Sequence, residues 1–600
     1  MLMLQNKENK YRIASYLLAF FSVFPFCIDM SMDGQQSMYG NQILLCVLIF
    51  ILHKFYFWSL MKQKKCIQKP VFILANLYTA ILLFGGSFYR NASWSEIVTT
   101  STIQIIKVCL IYSGTVCVLY FILIMLFECA DTEWVRKFKS VWFCVYSKKS
   151  ILLTGILILI CWSPYIVLKY PGVTAWDTGT VLKDFFDNQT INNGVPAFTV
   201  LYFTFFIKIG DILSNHNVGL ALFVCIQSAA MAAIFSWGIC YLERCRVVFI
   251  YRFIVFICIC FLPLYPFTAI QMGSDVSYSI AVVIYTLFLV RYVWKKEQIK
   301  WYEWIFQTFV LVLMTLFRHT GIYIVIVSLF VFIILNIKEK KWGVVWMHMF
   351  TASIYILWNI FILPHVATVN VINTSSTLLN ITKQQIGNYI VIYNDFTNEE
   401  KQKLSRMVTI DKVAERYNPE LVDPLFSVIH IKKEDTADYL KLWAKLFFRH
   451  PDAYIQAAVN MWYGYYYPDY TCKTKVHIFT DLLNINDSEN LQIHYPYFLS
   501  DGRKLLDSWS EILLKIPITS TLYRIGVYTW MLIFSIAYII CKRKWKAFAL
   551  FIPPGLTLLI CMLSPVCGYT RYAYPIMFTM PFLFGLWFTY GEKNKDTKDV

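Results

Sequence analysis

Apolar runs of about twenty residues recur from Ile13 to Tyr590, each long enough to cross roughly 30 Å of hydrocarbon. Within a bilayer every backbone N–H and C=O needs a partner in the chain, so such runs are read as helices. Composition agrees: 58% of the 600 residues are hydrophobic and only 15% are charged, where a soluble domain has about a quarter charged. Candidate spans are Ile13–Cys27, Gln42–Phe57, Val71–Phe88, Ile105–Phe127 and Ile151–Leu168, then Pro196–Leu213, Val218–Leu242, Val247–Leu264 and Tyr278–Val293. Trp304–Phe317, Thr320–Leu335, Trp346–Pro364, Leu522–Cys541, Phe548–Leu563 and Ala573–Tyr590 complete the series. The expected class is all-α: a polytopic membrane protein with about fourteen transmembrane helices, an outer juxtamembrane helix and a mostly helical extracytoplasmic domain.

The net charge of +17 does not point to nucleic acid, because the basic residues sit in short loops between apolar runs. That is the positive-inside pattern. Lys62, Lys64, Lys65 and Lys69 put one loop in the cytoplasm, and Arg136, Lys137, Lys139, Lys148 and Lys149 put another there. From the far end, Lys593, Lys595 and Lys598 hold the tail inside, as do Lys542, Arg543, Lys544 and Lys546 for the loop before it. Both termini are therefore expected in the cytoplasm and the protein in the cell membrane. The two counts agree only if one of three apolar segments between Asp177 and Asp275 does not cross. Pro196–Leu213, interrupted by Lys208 and Asp211, is the least apolar and is read as a helix lying on the outer surface. Lys7, Lys10 and Arg12 precede a first run with no small-residue cleavage site, which reads as a span rather than a signal peptide.

Four regions follow: a four-helix transmembrane part (1–150), a transmembrane core (151–366), an extracytoplasmic helical domain (367–520) and a three-helix transmembrane end (521–600). Most of the seventeen cysteines lie inside apolar runs as small hydrophobes. No CxxC or His/Cys cluster at zinc spacing occurs.

Charges in the outer loops are few, which makes each one informative. In Tyr170–Thr180 a Pro171-Gly172 break follows an apolar helix and leads to Trp176 and Asp177, with Asp184 and Asp187 soon after. An ionised group at the edge of hydrocarbon is costly and tends to mark function; the alternative is that Asp177 caps the next helix. Met272-Gly273-Ser274-Asp275 supplies a second acid after Pro263 and Pro266. Arg318 separates two short spans, and Arg571 with Tyr572 precedes the last. An Arg beside Tyr at a span end also serves as an interfacial anchor. Outer loops avoid positive charge, however, and a fixed guanidinium suits a phosphate, which it binds with two parallel hydrogen bonds.

The region Ala367–Ser520 is too long and patterned for a loop. A helix is expected from Asn398 with Glu399, Glu400, Lys401 and Lys403, and a second over about Glu434–Phe448 with Tyr439, Leu440, Trp443, Leu446 and Phe447 on one face. A third starts at Pro451 and is dense in aromatics through Trp462, Tyr463, Tyr465, Tyr466 and Tyr467. These read as core or interfacial belt, or as a surface on which a sugar or headgroup stacks.

The order of these elements resembles the GT-C superfamily of membrane glycosyltransferases, which includes protein O-mannosyltransferases and aminoarabinose transferases. YPGVTAWD, TKQQIGNYI, YNPELVDPL, RHPDAYIQAAVNMWYGYYYP and SPVCGYTRYAYP look like a family of bacterial multi-span proteins grouped with them. The resemblance runs from about Ile151 onward. It implies that Asp177 is the first-loop acid acting as base, Asp275 the second-loop acid and Arg571 the late basic residue; beside them Arg318, Tyr572 and Asp184 are read as substrate-binding. Where such relatives often carry His-Pro and Lys-Asp, this chain has Val195-Pro196 and Ser274-Asp275.

The implied activity moves a sugar from a polyprenyl-phosphate donor to a glycan, lipid or protein acceptor at the outer membrane face. No nucleic acid takes part. An Arg would meet the donor phosphate and Asp177 would take the acceptor proton. The residues point to no definite cofactor; a divalent cation between Asp177 and Asp275 is the one option, although hard cations gather more oxygens than these two acids give. The rival class is a transporter or flippase of lipid-linked glycan. Internal repeats and charges near the midplane would mark it, whereas the charges here gather in outer loops beside a large outer domain.

Overall fold

The computed structural model describes the chain outside residues 1, 29–41, 63–67, 130–142, 175–177, 189, 193–194, 337–341, 367, 371–378, 472–490, 492 and 590–600. Asp177 and the C-terminal tail thus lie outside the described residues. The described chain is almost wholly helical. Among the described residues eight helices are long and apolar enough to cross a membrane: Ile43–Met61, Lys69–Asn91, Thr102–Phe127, Lys148–Leu168, His216–Arg244, Ser274–Trp294, Gly343–Val366 and Trp545–Met562. Phe249–Phe261, Trp301–Phe317, Gly321–Asn336 and Ile525–Cys541 are apolar but shorter. This is the helix set of a membrane-embedded protein.

The chain divides into two compact units, each assembled from separated stretches. The first takes residues 1–132, 381–470 and 537–543. Its long helices are joined by polar contacts inside the apolar bundle, where an unpaired hydroxyl would be costly. Ser15 Oγ meets His53 Nδ1 at 2.9 Å, and Ser22 Oγ meets Tyr56 Oη at 2.6 Å. Beside them the helices Asn398–Leu404, Thr436–Arg449 and Pro451–Tyr466 match the expected ones within two residues. Thr397 caps the first through a reciprocal box with Glu400. The amphipathic helix Thr436–Arg449 buries Tyr439, Leu442 and Leu446.

The second unit takes residues 133–380, 471–536 and 544–600. It holds two short parallel strand pairs, Val173–Thr174 with Gln271–Met272 and Thr190–Asn192 with Thr368–Asn370. Strands of two or three residues show no usable alternation, so the sequence gives no sign of them. The Ala197–Leu213 helix, N-capped by Pro196, packs on His216–Arg244 so tightly that a Cβ on Gly210 would sit 2.3 Å from the Gly219 nitrogen. Two ionic clusters bracket the Ser274–Trp294 helix. Asp275 stands in its first turn, and Arg291 near its other end binds Glu297 at 3.0 Å and Glu303 at 2.8 Å. Sixteen residues at about 1.5 Å each separate the clusters by roughly 24 Å, close to the thickness of a hydrocarbon core.

Candidate functional site

Asp275 is positioned from its backbone outward. The preceding segment, the short helix Leu264–Ala269 and the strand Gln271–Met272, is fully buried, and its carbonyls find donors on the neighbouring apolar helix. Gln227 Nε2 donates to the carbonyls of Ala269 at 3.0 Å and Gln271 at 2.8 Å, and Ser228 Oγ donates to Ala269 at 3.2 Å. A Gln-Ser pair inside an otherwise apolar helix is costly unless it has such work. Gly273 then caps the helix Ser274–Leu289, and the Asp275 carboxylate sits where the helix dipole favours an anion.

The strand Gln271–Met272 also fixes the segment that leads to Asp177. Val173 pairs with Gln271 and Thr174 with Met272, in parallel. Thr174 precedes Asp177 by three residues, as Met272 precedes Asp275. Gly172 enters the pairing at φ +122°, after a cis Tyr170–Pro171 bond, and a Cβ there would lie 2.4 Å from Val224 Cγ2. Only glycine fits both the dihedral and the space. The Gly172 carbonyl accepts from Tyr495 Oη at 2.9 Å.

Two arginines from distant loops close on Asp275. Arg318 is the C-cap of Trp301–Phe317 and binds Oδ1 through Nη1. Arg571, in the first turn of Thr570–Gly585, brings Nε to 2.8 Å from Oδ2. The side chains are 10, 19 and 16% exposed for Asp275, Arg318 and Arg571. Among the described residues, one carboxylate stands here against two guanidiniums in a shielded place. Aromatic faces line it: Tyr572 lies under both guanidiniums, 4.7 Å from Arg318 and 5.3 Å from Arg571, with Tyr278 and Tyr569 beside them. Because both oxygens of Asp275 face cations, this carboxylate does not suit a divalent metal. Among the described residues no group of three His, Cys, Asp or Glu side chains could hold one.

Four of the expected site residues, Asp275, Arg318, Arg571 and Tyr572, therefore meet. Asp184 is half-buried on the helix Thr178–Asn188. Sequence reasoning passed over Tyr278, Tyr569, Gln227 and Ser228. The two polar residues in an apolar span were the available signal.

In the first unit the TKQQIGNYI, YNPELVDPL and RHPDAYIQAAVNMWYGYYYP stretches interlock. Gln384 donates to the Asn418 carbonyl, Asn388 to that of Ala453 at 2.7 Å, and Trp443 Nε1 to Gln385 Oε1 at 2.9 Å. Glu420 accepts from Tyr463 and, at 3.0 Å, from Tyr470. Tyr463 and Tyr465 are fully buried. These aromatics are core.

A buried carboxylate clamped by two arginines at the ends of apolar helices defines the class: a helical membrane-embedded protein with a polar site at the helix ends. The chain belongs to the family of unknown function DUF6020, which it matches over residues 195–600. No curated protein and no solved structure matches it.

Proposed function

We propose that the protein is a membrane glycosyltransferase of the GT-C type, moving a sugar from a polyprenyl-phosphate donor to a glycan, lipid or protein acceptor at the outer face of the cell membrane. In this reading about fourteen helices cross the bilayer. Both termini are cytoplasmic, and the region 367–520 lies outside. The observation that carries the proposal is the meeting of Asp275, Arg318 and Arg571 beside the strand that leads to Asp177. A pair of shielded guanidiniums suits a lipid-linked phosphate better than a neutral ligand, because guanidiniums bind phosphate oxygens in pairs. Asp275 holds the two guanidiniums in place. Asp177 takes the acceptor proton as the acceptor oxygen attacks the sugar carbon, and the polyprenyl phosphate leaves with the bonding pair.

The test compares surface glycans in cells that carry the intact protein, Asp177→Asn or Arg571→Lys at equal expression. Asp177→Asn keeps the side-chain shape and loses the proton acceptor, so transfer falls by at least about a hundredfold. Arg571→Lys keeps charge and loses the planar fork, so donor affinity weakens first. A helix cap alone would tolerate Asn. Unchanged glycan in the Asp177→Asn strain removes Asp177 from the mechanism.

A further inference from the structure

The helix Ser500–Lys515 has three faces where an ordinary surface helix has two. At 100° per residue, Gly502, Leu506, Ser510 and Leu513 face the protein. Leu506, Ser510 and Leu513 are buried, and a Cβ on Gly502 would lie 2.6 Å from Leu168 Cδ2, so this face lies against the end of the Lys148–Leu168 helix. Asp507 closes the same side by binding Lys169 Nζ at 2.6 Å. A second sector, about 60° wide, carries Leu505, Trp509, Ile512 and Ile516, which are 73, 51, 50 and 42% exposed. The third holds Asp501, Lys504, Ser508, Glu511 and Lys515, all exposed.

Protein, hydrocarbon and water meet along one line only at the edge of a bilayer. Exposed apolar side chains also mark the helix against which it packs. Val167, on the last turn of Lys148–Leu168, is 57% exposed, and Ile160 below it 59%. Phe498 and Ile518, at the two ends of the helix, extend the same apolar surface at 84 and 77% exposure.

We propose that Ser500–Lys515 lies in the plane of the bilayer interface, with Leu505, Trp509, Ile512 and Ile516 in the acyl chains. Lys504 and Lys515 then stand among headgroup phosphates. Through Asp507 and Lys169 the helix holds the adjoining Pro171-Gly172 turn at headgroup depth. This inference rests on the membrane reading alone and is independent of the chemistry proposed for Asp177.

Benzoylphenylalanine placed singly at Leu505, Ile512, Ser508 and Glu511 of the full chain, in phosphatidylcholine–phosphatidylglycerol vesicles with radiolabelled acyl chains, tests it. Photolysis should give severalfold more acyl-chain adduct from 505 and 512 than from 508 and 511. If the 505 variant is not recovered folded, position 516 carries the same expectation. Equal labelling of the two sectors, no lipid adduct, or crosslinks from 505 and 512 to a second copy of the chain would each overturn the proposal.

Discussion

Asp275→Asn removes the carboxylate that two guanidiniums share and leaves the side-chain shape almost intact. Arg318 and Arg571, each less than a fifth exposed, would then face one another without the carboxylate they share. Removing one partner of a buried ion pair costs about 3–5 kcal/mol, mostly from the charge left behind. The residual exposure here places the loss near the lower bound, about 3 kcal/mol. Arg571→Met alone leaves a one-to-one pair of Asp275 with Arg318 and should cost less, about 1–2 kcal/mol. Combining it with Asp275→Asn takes away one orphaned charge, so the double variant should be more stable than Asp275→Asn by about 1–2 kcal/mol; measured against the sum of the two single losses, that is a coupling of about 2–4 kcal/mol, at the upper end for contacting residues. Unfolding in mixed dodecyl maltoside–SDS micelles, followed by circular dichroism, measures all three. If the double variant is instead less stable than either single one by a simple sum, the two arginines do not share that carboxylate, and the reasoning fails.

Gly172→Ala should destabilise by at least about 1–3 kcal/mol, because strain at φ +122° adds to a clash with Val224; Val224→Ala should relieve only the clash, read by the same unfolding assay. Glu400, 4% exposed, has its carboxyl held at about 2: burial works against ionisation, but Arg449, the Thr397 N–H and Lys445 outweigh it. A depressed carboxyl adds stability that is full above about pH 4.5 and is lost as pH falls towards 2. With Lys445 63% exposed and Arg449 29%, that amounts to about 1–2 kcal/mol, and an acid titration of stability should lose this part of its slope in Glu400→Gln. Burial lowers the Lys169 ammonium and raises the Asp507 carboxyl, each offset by the other. Lys169 is 1% exposed and Asp507 21%, so Asp507→Asn, which strands the deeper charge, should cost more than Lys169→Met, by thermal aggregation in detergent.

The parts of this molecule legible in its sequence are those that repeat over many residues or use a local signal. The apolar runs announce their helices. The run Glu399, Glu400, Lys401 and Lys403 after Asn398 and the spacing of Tyr439, Leu446 and their neighbours place two helices of the 367–520 region within two residues. Asp275, Arg318 and Arg571 stand out because charge is rare in such loops, but the pairing of both arginines with a single carboxylate is a long-range fact that no local pattern encodes. The strand pair Val173–Thr174 with Gln271–Met272 is too short to show alternation. The helix Ser500–Lys515 is about as strongly amphipathic as Thr436–Arg449, so its periodicity is a signal the sequence does carry. Lys169 reads as an ordinary loop lysine until its partner, 338 residues away, is brought against it.

In the first unit the carbonyl of Ala92 accepts hydrogen bonds from Gln456 and Asn460, and Gly85 leaves just enough room for the Tyr467 ring. Gln456 lies 364 residues further along the chain. At a synthesis rate of about 5–20 residues per second, the turn around Ala92 is made some 20–70 s before its partners exist. Something must keep that turn in shape meanwhile. Arg90 and Asn91 both bind Glu96, the latter at 2.7 Å, and Gln104 Nε2 donates to the Glu96 carbonyl at 3.0 Å. The turn therefore carries its own clasp, made from residues born within seconds of one another, and the rest of the unit arrives to find its docking point already built.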